Sequence, residues 1–234
     1  MTKRYNFNGQ VEAEYKIIDG LSAQVTYGYN VMTSKANAFH ANVSLYNESG
    51  TTTNLVSNLN VTNETDVQTL LTSLLKYNKV LGKHEFNLLA GYSEEEFTYD
   101  WESAYRSGFV NNTQRVLNLG DPSTQTNNAG SYDLGLRSYF GRLNYVFDGK
   151  YLFEANIRRD GSSRFAKEHR WGTFPSFSAG WVISKERFMQ NLTWIDLLKL
   201  RASWGRLGNQ NISNYYNGSD ILTSGQNYSL GGTL

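Results

Sequence analysis

The chain has 234 residues and a formal net charge of +1, with 18% charged residues, 14% aromatics and no cysteine. The near-neutral charge excludes the strong basic field that nucleic acid requires, and the missing cysteines exclude disulfides, thiolate metal sites and cysteine nucleophiles. Sixteen Tyr, 12 Phe, 5 Trp and only 2 Pro describe a chain rich in strand formers and poor in helix formers. No stretch approaches the roughly 18 apolar residues of a membrane-spanning helix. Met1 to Asn6 lacks the apolar core of a signal peptide, so the chain is expected to be an internal fragment.

The first element alternates with period two. Phe7, Gly9, Val11, Ala13, Tyr15 and Ile17 are apolar or small, with Asn8, Gln10, Glu12, Glu14 and Lys16 between them. Leu21, Ala23, Val25, Tyr27, Tyr29 and Val31 continue at odd positions after Asp19-Gly20. Two strands with apolar faces at odd positions pair with an even register sum. Ile17 opposite Leu21 satisfies this and leaves the loop Ile18-Asp19-Gly20, in which Gly20 suits a left-handed residue.

Leu71, Leu75 and Tyr77 lead through Leu81-Gly82-Lys83-His84 to Phe86, Leu88, Ala90 and Tyr92. The apolar face changes parity there, as a four-residue loop delivers. Tyr139, Gly141, Leu143, Tyr145 and Phe147 lead through Asp148-Gly149-Lys150 to Tyr151, Phe153, Ala155 and Ile157. Phe177, Ala179, Trp181 and Ile183 form one further strand, and Leu198, Leu200, Ala202 and Trp204 another. Ser184 to Asp196 lies between them, with one helical turn around Lys185-Glu186-Arg187-Phe188-Met189.

This makes about eight strands of about 11–15 residues in four hairpins, longer than the usual 5–6 of globular sheets. Polar connections are expected from Ser34 to Asp66, Glu96 to Asp133, Gly161 to Gly172 and after Gly208. Short turns alternating with long loops is the layout of outer-membrane barrels. Aromatics gather at strand ends around an aliphatic middle, as a lipid-facing surface requires. The other face is polar: Gln10, Glu12, Glu14 and Lys16; Arg142, Asn144, Glu154, Asn156 and Arg158; Lys199, Arg201 and Ser203. A soluble β-sandwich also alternates, with its apolar face against a core. The expected fold is all-β, an antiparallel transmembrane barrel, here a partial arc of about eight strands.

From Tyr139 onward the sequence carries a recognisable series. It contains Tyr139-Phe140-Gly141-Arg142-Leu143-Asn144-Tyr145, Asp160-Gly161-Ser162-Ser163-Arg164-Phe165 and Phe174-Pro175-Ser176-Phe177-Ser178-Ala179-Gly180-Trp181. Leu198-Lys199-Leu200-Arg201-Ala202-Ser203-Trp204-Gly205-Arg206-Leu207-Gly208-Asn209-Gln210 follows. In this order and spacing the series resembles the SusC/RagA family of TonB-linked outer-membrane transporters. Gly82-Lys83-His84 and Ala90-Gly91-Tyr92 are weaker matches.

The resemblance implies that residues 1–234 are barrel domain from a barrel of about 22 strands, with an N-terminal plug outside this sequence. It implies energy from TonB and a SusD-like lipoprotein lid. It also implies outer-membrane lipid around the barrel and an oligosaccharide or peptide as cargo. It makes Asp160, Gly161, Ser162, Ser163, Arg164, Phe165, Arg201, Trp204, Gly205, Gly208 and Asn209 family-motif positions with a structural role. A passive porin or a structural outer-membrane barrel is the alternative function, and a secreted carbohydrate-binding β-sandwich a further one.

No residue set calls for an enzyme, a metal or a cofactor. The run Asp160 to Phe165 holds serine, aspartate and arginine, yet no histidine stands in sequence as a base, and the run reads as a turn with an Asp–Arg contact. His40, His84 and His169 are scattered without ligand spacing. Glu94, Glu95, Glu96, Asp100 and Glu102 read as solvated loop charge. Asn-X-Ser/Thr triplets such as Asn63-Glu64-Thr65 are silent in a bacterium. The aromatics Phe39, Tyr46, Trp101, Tyr105, Phe109, Tyr215, Tyr216 and Tyr228 are assigned to long loops, where sugar contact competes with loop packing. Substrate-binding residues remain unassigned.

Overall fold

The computed structural model describes residues 1–46, 48, 50, 52–192 and 194–211. One antiparallel sheet dominates it, built from β1 (Thr2–Ile18), β2 (Leu21–His40), β5 (Asn58–Leu81), β6 (His84–Ser107), β7 (Thr126–Phe147), β8 (Tyr151–Ser162), β9 (Trp171–Val182) and β10 (Lys199–Gly205). They lie side by side in that order, so each neighbour in space is the neighbour in sequence. The short β3 (Val43–Tyr46) and β4 (Thr52–Leu55) form a separate ribbon between β2 and β5. Sequence patterning did not anticipate this ribbon.

No second sheet packs against the eight-stranded one among the described residues, and β1 and β10 are its two edges. The β-sandwich expectation therefore fails, and the arc stands. Among the described residues only Leu59, Phe109 and Val182 are buried hydrophobic side chains. A sheet in water must cover its apolar face; this one leaves it bare. Phe7, Tyr27, Leu88, Tyr139, Phe153, Phe177 and Trp204 are all exposed.

Register sorts the side chains into rows. One row across β2 and β5–β10 reads Leu21, Tyr77, Leu88, Leu143, Ala155, Phe177 and Trp204. The adjoining row on the opposite face reads Asn78, Asn87, Asn144, Glu154, Ser178 and Ser203. One residue step therefore separates a wholly apolar row from a wholly polar one. The ten steps from His84 to Glu94 at about 3.3 Å per residue and a tilt of about 40° span about 25 Å, the height of a barrel's lipid-facing band.

The register along β1 and β2 follows the parity argument, but their turn does not: Ile18 and not Ile17 closes on Leu21, so a two-residue turn replaces the expected three-residue loop. β1 and β2 pair with Tyr15 opposite Ala23 and Val11 opposite Tyr27. The last pair is Ile18 with Leu21, which leaves Asp19-Gly20 as the turn after an irregularity at Lys16–Ile18. Gly20 has φ +82°. Leu81 pairs with His84 around Gly82-Lys83, a two-residue turn where a four-residue loop was expected; both change parity. Phe147 pairs with Tyr151 around Asp148-Gly149-Lys150. The β9–β10 connection contains short 3-10 turns at Ile183–Lys185 and Arg187–Met189.

The expected long loops are shorter than the alternation suggests. β2 runs on to His40, β5 starts at Asn58, and β6 and β7 have 24 and 22 residues. Beyond the apolar band the pattern changes phase while backbone pairing continues: on β6 the apolar side chains move from even positions (Phe86, Leu88, Ala90, Tyr92) to odd ones (Phe97, Tyr99, Trp101, Tyr105). Trp101 and Tyr105 therefore lie on β6 and Phe39 on β2, and Glu94, Glu95, Glu96, Asp100 and Glu102 are strand residues of β6. Likewise Asp160, Gly161 and Ser162 end β8. The segment 108–125 is fastened to the 41–57 excursion. Phe109 N–H donates to Ser57 Oγ at 3.0 Å, and its ring meets Phe39 edge-on at 5.5 Å. Asn42 N–H donates to Asn112 Oδ1 at 2.8 Å. Tyr215, Tyr216, Tyr228 and most of the expected terminal loop lie outside the described residues.

Candidate functional site

The polar face is a connected hydrogen-bonding wall. Ser22 Oγ donates to Glu14 at 2.8 Å, Lys76 lies 3.5 Å from the same carboxylate, and Lys76 also donates to Gln24. Thr26 Oγ1 donates to Glu12 at 3.3 Å. Further round, Arg142 Nε donates to Asn156 Oδ1 at 2.8 Å, and Asn156 Nδ2 to Glu154 at 2.8 Å. Arg201 Nη2 donates to Ser178 Oγ at 3.5 Å. The charges offset one another locally, so the wall is wettable without a dominant sign.

The motif residues converge at the open end of β7–β9. Asp160, Ser162, Phe165, Gly208 and Asn209 line one cleft with Phe174 and Arg206. Asp160 accepts from Arg158 Nε at 2.7 Å, so its Asp–Arg contact runs along β8. Alternation puts residues two apart on the same face. Arg158 Nη2 also donates to the buried Ser138 Oγ at 2.9 Å, and its guanidinium sits 5.3 Å from the Phe140 ring centre. Phe140 in turn lies flat over Gly91: a Cβ there would meet the ring at 2.2 Å. Gly161 makes the same room for Trp171, and Gly208 for Phe174. Sequence reasoning missed Arg158 as Asp160's partner, although parity would have found it. It also missed the Gly91–Phe140 stack, which depends on inter-strand register.

The remaining motif positions knit backbone. Ser162 N–H donates to Arg170 O at 3.1 Å, and Ser162 Oγ accepts from Arg164 N–H at 3.3 Å. Ser163 N–H donates to Gly135 O while its Oγ accepts from Gly135 N–H, both at 2.9 Å. Phe165 N–H donates to Ser162 O at 3.3 Å. Gly205 admits Ser176 at a distance of 3.0 Å from where its Cβ would stand. Trp204 lies on the apolar face, stacked on Phe177 at 6.2 Å. His169 lines the same cleft as Ser162, a proximity that sequence order conceals. No hydrogen bond joins them among the described residues, and Ser162 Oγ is already engaged.

At the opposite end Glu186 gathers three donors: Tyr151 Oη at 2.7 Å, Trp181 Nε1 at 3.1 Å and Lys150 Nζ at 3.3 Å. Lys150 and Lys83 share Asp148, at 3.5 and 2.9 Å. The Tyr151 and Trp181 hydrogen bonds hold the Glu186 carboxyl below the ordinary 4.5. A depressed carboxylate stabilises the fold fully above its unfolded value, and this contribution is lost as pH falls through the folded one. Acidification below pH 4.5 is thus expected to lower the amide protection factors across Ile183–Met189. In Glu186→Gln that pH dependence should largely vanish; unchanged acid sensitivity would remove Glu186 as the anchor.

The sequence profile described as "TonB dependent receptor-like, beta-barrel" matches residues 1–234, the whole chain. The chain belongs to the TonB-dependent receptor β-barrel family. Its members are transporters, not enzymes. TonB-dependent receptor P39 of Formosa agariphila is 34% identical over 202 residues, 86% of this chain and 19% of the relative. SusC of Bacteroides thetaiotaomicron is 39% identical over 141 residues, 59% of this chain and 13% of SusC. The structure of the RagAB peptide transporter superposes with a TM-score of 0.86 at 23% identity, over 98% of this chain and 25% of that one. These likenesses bear out the SusC/RagA resemblance and the reading of the sheet as part of a larger barrel. The chain spans about a fifth of the length of the Formosa relatives.

Proposed function

We propose that the whole protein imports a nutrient oligomer across the bacterial outer membrane, with energy delivered by TonB. An oligosaccharide is the first candidate for cargo and a peptide the second. In this reading residues 1–234 are barrel domain, an N-terminal plug elsewhere in the protein closes the lumen, and a SusD-like lipoprotein covers the extracellular mouth. The apolar face meets lipid and the polar face meets the lumen or plug. The motif residues brace the wall and do not touch cargo.

The observation that carries this reading is the single-layer sheet whose apolar face has no second layer over it among the described residues. In a bilayer that face is solvated by acyl chains, and every interior strand satisfies its backbone through its neighbours. The passive porin is the competitor. Import of a labelled oligosaccharide by cells carrying the full-length gene is expected to cease when tonB is deleted, with surface binding retained. Uptake that continues at the same rate without TonB would establish the porin instead.

A further inference from the structure

Above the lipid band, the polar face of β5–β7 changes character. Three rows across β2, β5, β6 and β7 read Asn30-Gln68-Phe97-Leu134, Met32-Asp66-Tyr99-Tyr132 and Ser34-Glu64-Trp101-Gly130. Phe97, Tyr99 and Tyr132 form a half-exposed ring cluster, with Trp101 half-exposed in the next row. Tyr132 stands 5.8 Å from Phe97 and 5.1 Å from Tyr99, ring centre to ring centre. Trp101 lies across Gly130, where a Cβ would stand 2.7 Å from its Nε1. A glycine beneath the half-exposed indole lets it lie against the neighbouring strand.

The polar groups around these rings are mostly acceptors. Glu95 accepts from Gln68 Nε2 at 2.6 Å, and Tyr99 hydrogen-bonds to Glu64. Asn30 Oδ1 is shielded and has no donor among the described residues. Burial and the neighbouring Glu64 raise the Asp66 carboxyl above its ordinary value, as expected where no cation balances it. The one basic residue in these rows is Arg4 of β1, two strands from Glu64. A surface of aromatic faces edged by uncompensated acceptors suits a ligand with apolar faces and many hydroxyl donors, and repels anions.

We propose that Phe97, Tyr99, Trp101 and Tyr132, with Glu64 and Asp66, form a subsite for uncharged oligosaccharide on the lumen wall. The subsite excludes uronate and sulfated chains. It rests on the importer reading and sharpens it. Pyranose rings stack on the aromatic surface, and their hydroxyls donate to the two carboxylates. Among the described residues neither carboxylate pairs with a protein cation, which keeps both available as acceptors.

The test uses the full-length protein, purified in detergent with its lipoprotein, and isothermal calorimetry. The probes are hexasaccharides of glucose, xylose, mannose and galactose, a galacturonate hexamer, and a lysine-rich hexapeptide. At least one neutral hexamer is expected to bind and the galacturonate is not. Tyr99→Ala with Trp101→Ala should weaken the neutral ligand by about tenfold or more. Glu64→Gln with Asp66→Asn should admit the galacturonate hexamer.

These positions lie beyond the lipid band, so heat-modifiable gel mobility should report normally folded barrels. The subsite is overturned by uronate binding as tight as neutral binding in the wild type, by retention of the hexapeptide alone, or by neutral affinity unchanged in folded variants. TonB-independent uptake with the affinity changes intact would sink the importer reading and leave the subsite standing.

Discussion

Leu143→Arg in the full-length protein is expected to cut the yield of assembled barrel severely, whereas Asn144→Arg is expected to leave it near wild type. Leu143 lies between Leu88 and Ala155 in the apolar row. An arginine there sits at mid-depth in hydrocarbon, at a cost of about 2–4 kcal/mol. Asn144 lies between Asn87 and Glu154 in the adjoining polar row, so an arginine there meets hydrogen-bond acceptors and a carboxylate. Heat-modifiable mobility of outer-membrane fractions gives the readout. Equal losses for both variants would mean that the facing is wrong, and the account of lipid and lumen would go with it.

Gly20→Ala should be nearly as damaging, through the backbone. Gly20 has φ +82°, and a Cβ would stand 2.3 Å from the Asn78 carbonyl oxygen. That oxygen cannot swing aside cheaply, because Asn78 N–H donates to Gly20 O at 2.8 Å and ties the β1–β2 turn to β5. Left-handed strain of about 1–2 kcal/mol adds to about 1–3 kcal/mol of steric overlap. The expected result is a slower-assembling barrel with a lower unfolding midpoint in urea. Gly82→Ala is the control: its φ is +58° but nothing lies within 4 Å of the Cβ position, so only the conformational cost applies. Equal stability of the two variants would show that the Asn78 contact does not matter.

Legibility followed the bilayer. Between the short turns and the outer aromatics, one face of each strand meets hydrocarbon and the other meets polar groups. Period two is then written into the residues, and strand order, facing and turn parity could be taken from them. Above that band the rule lapses. Asn58–Thr69 of β5 and Glu96–Ser107 of β6 are paired strand, yet the first is mostly polar and in the second the aromatics move to the opposite parity, so neither continues the pattern set in the lipid band. Trp101 shows the consequence: assigned to a loop from sequence, it stands on the polar face beside Gly130 in register.

The amino-acid sequence alone determined the all-β class, the hairpins, the two chemically opposite faces and the family. These follow from local alternation, turn residues and motif order. Only the tertiary structure decided how far the strands run, that Gly91 receives Phe140, and that Phe97, Tyr99, Trp101 and Tyr132 share one wall. Those depend on register between strands distant in sequence. Inter-strand hydrogen bonds set that register cooperatively, and no single strand carries it.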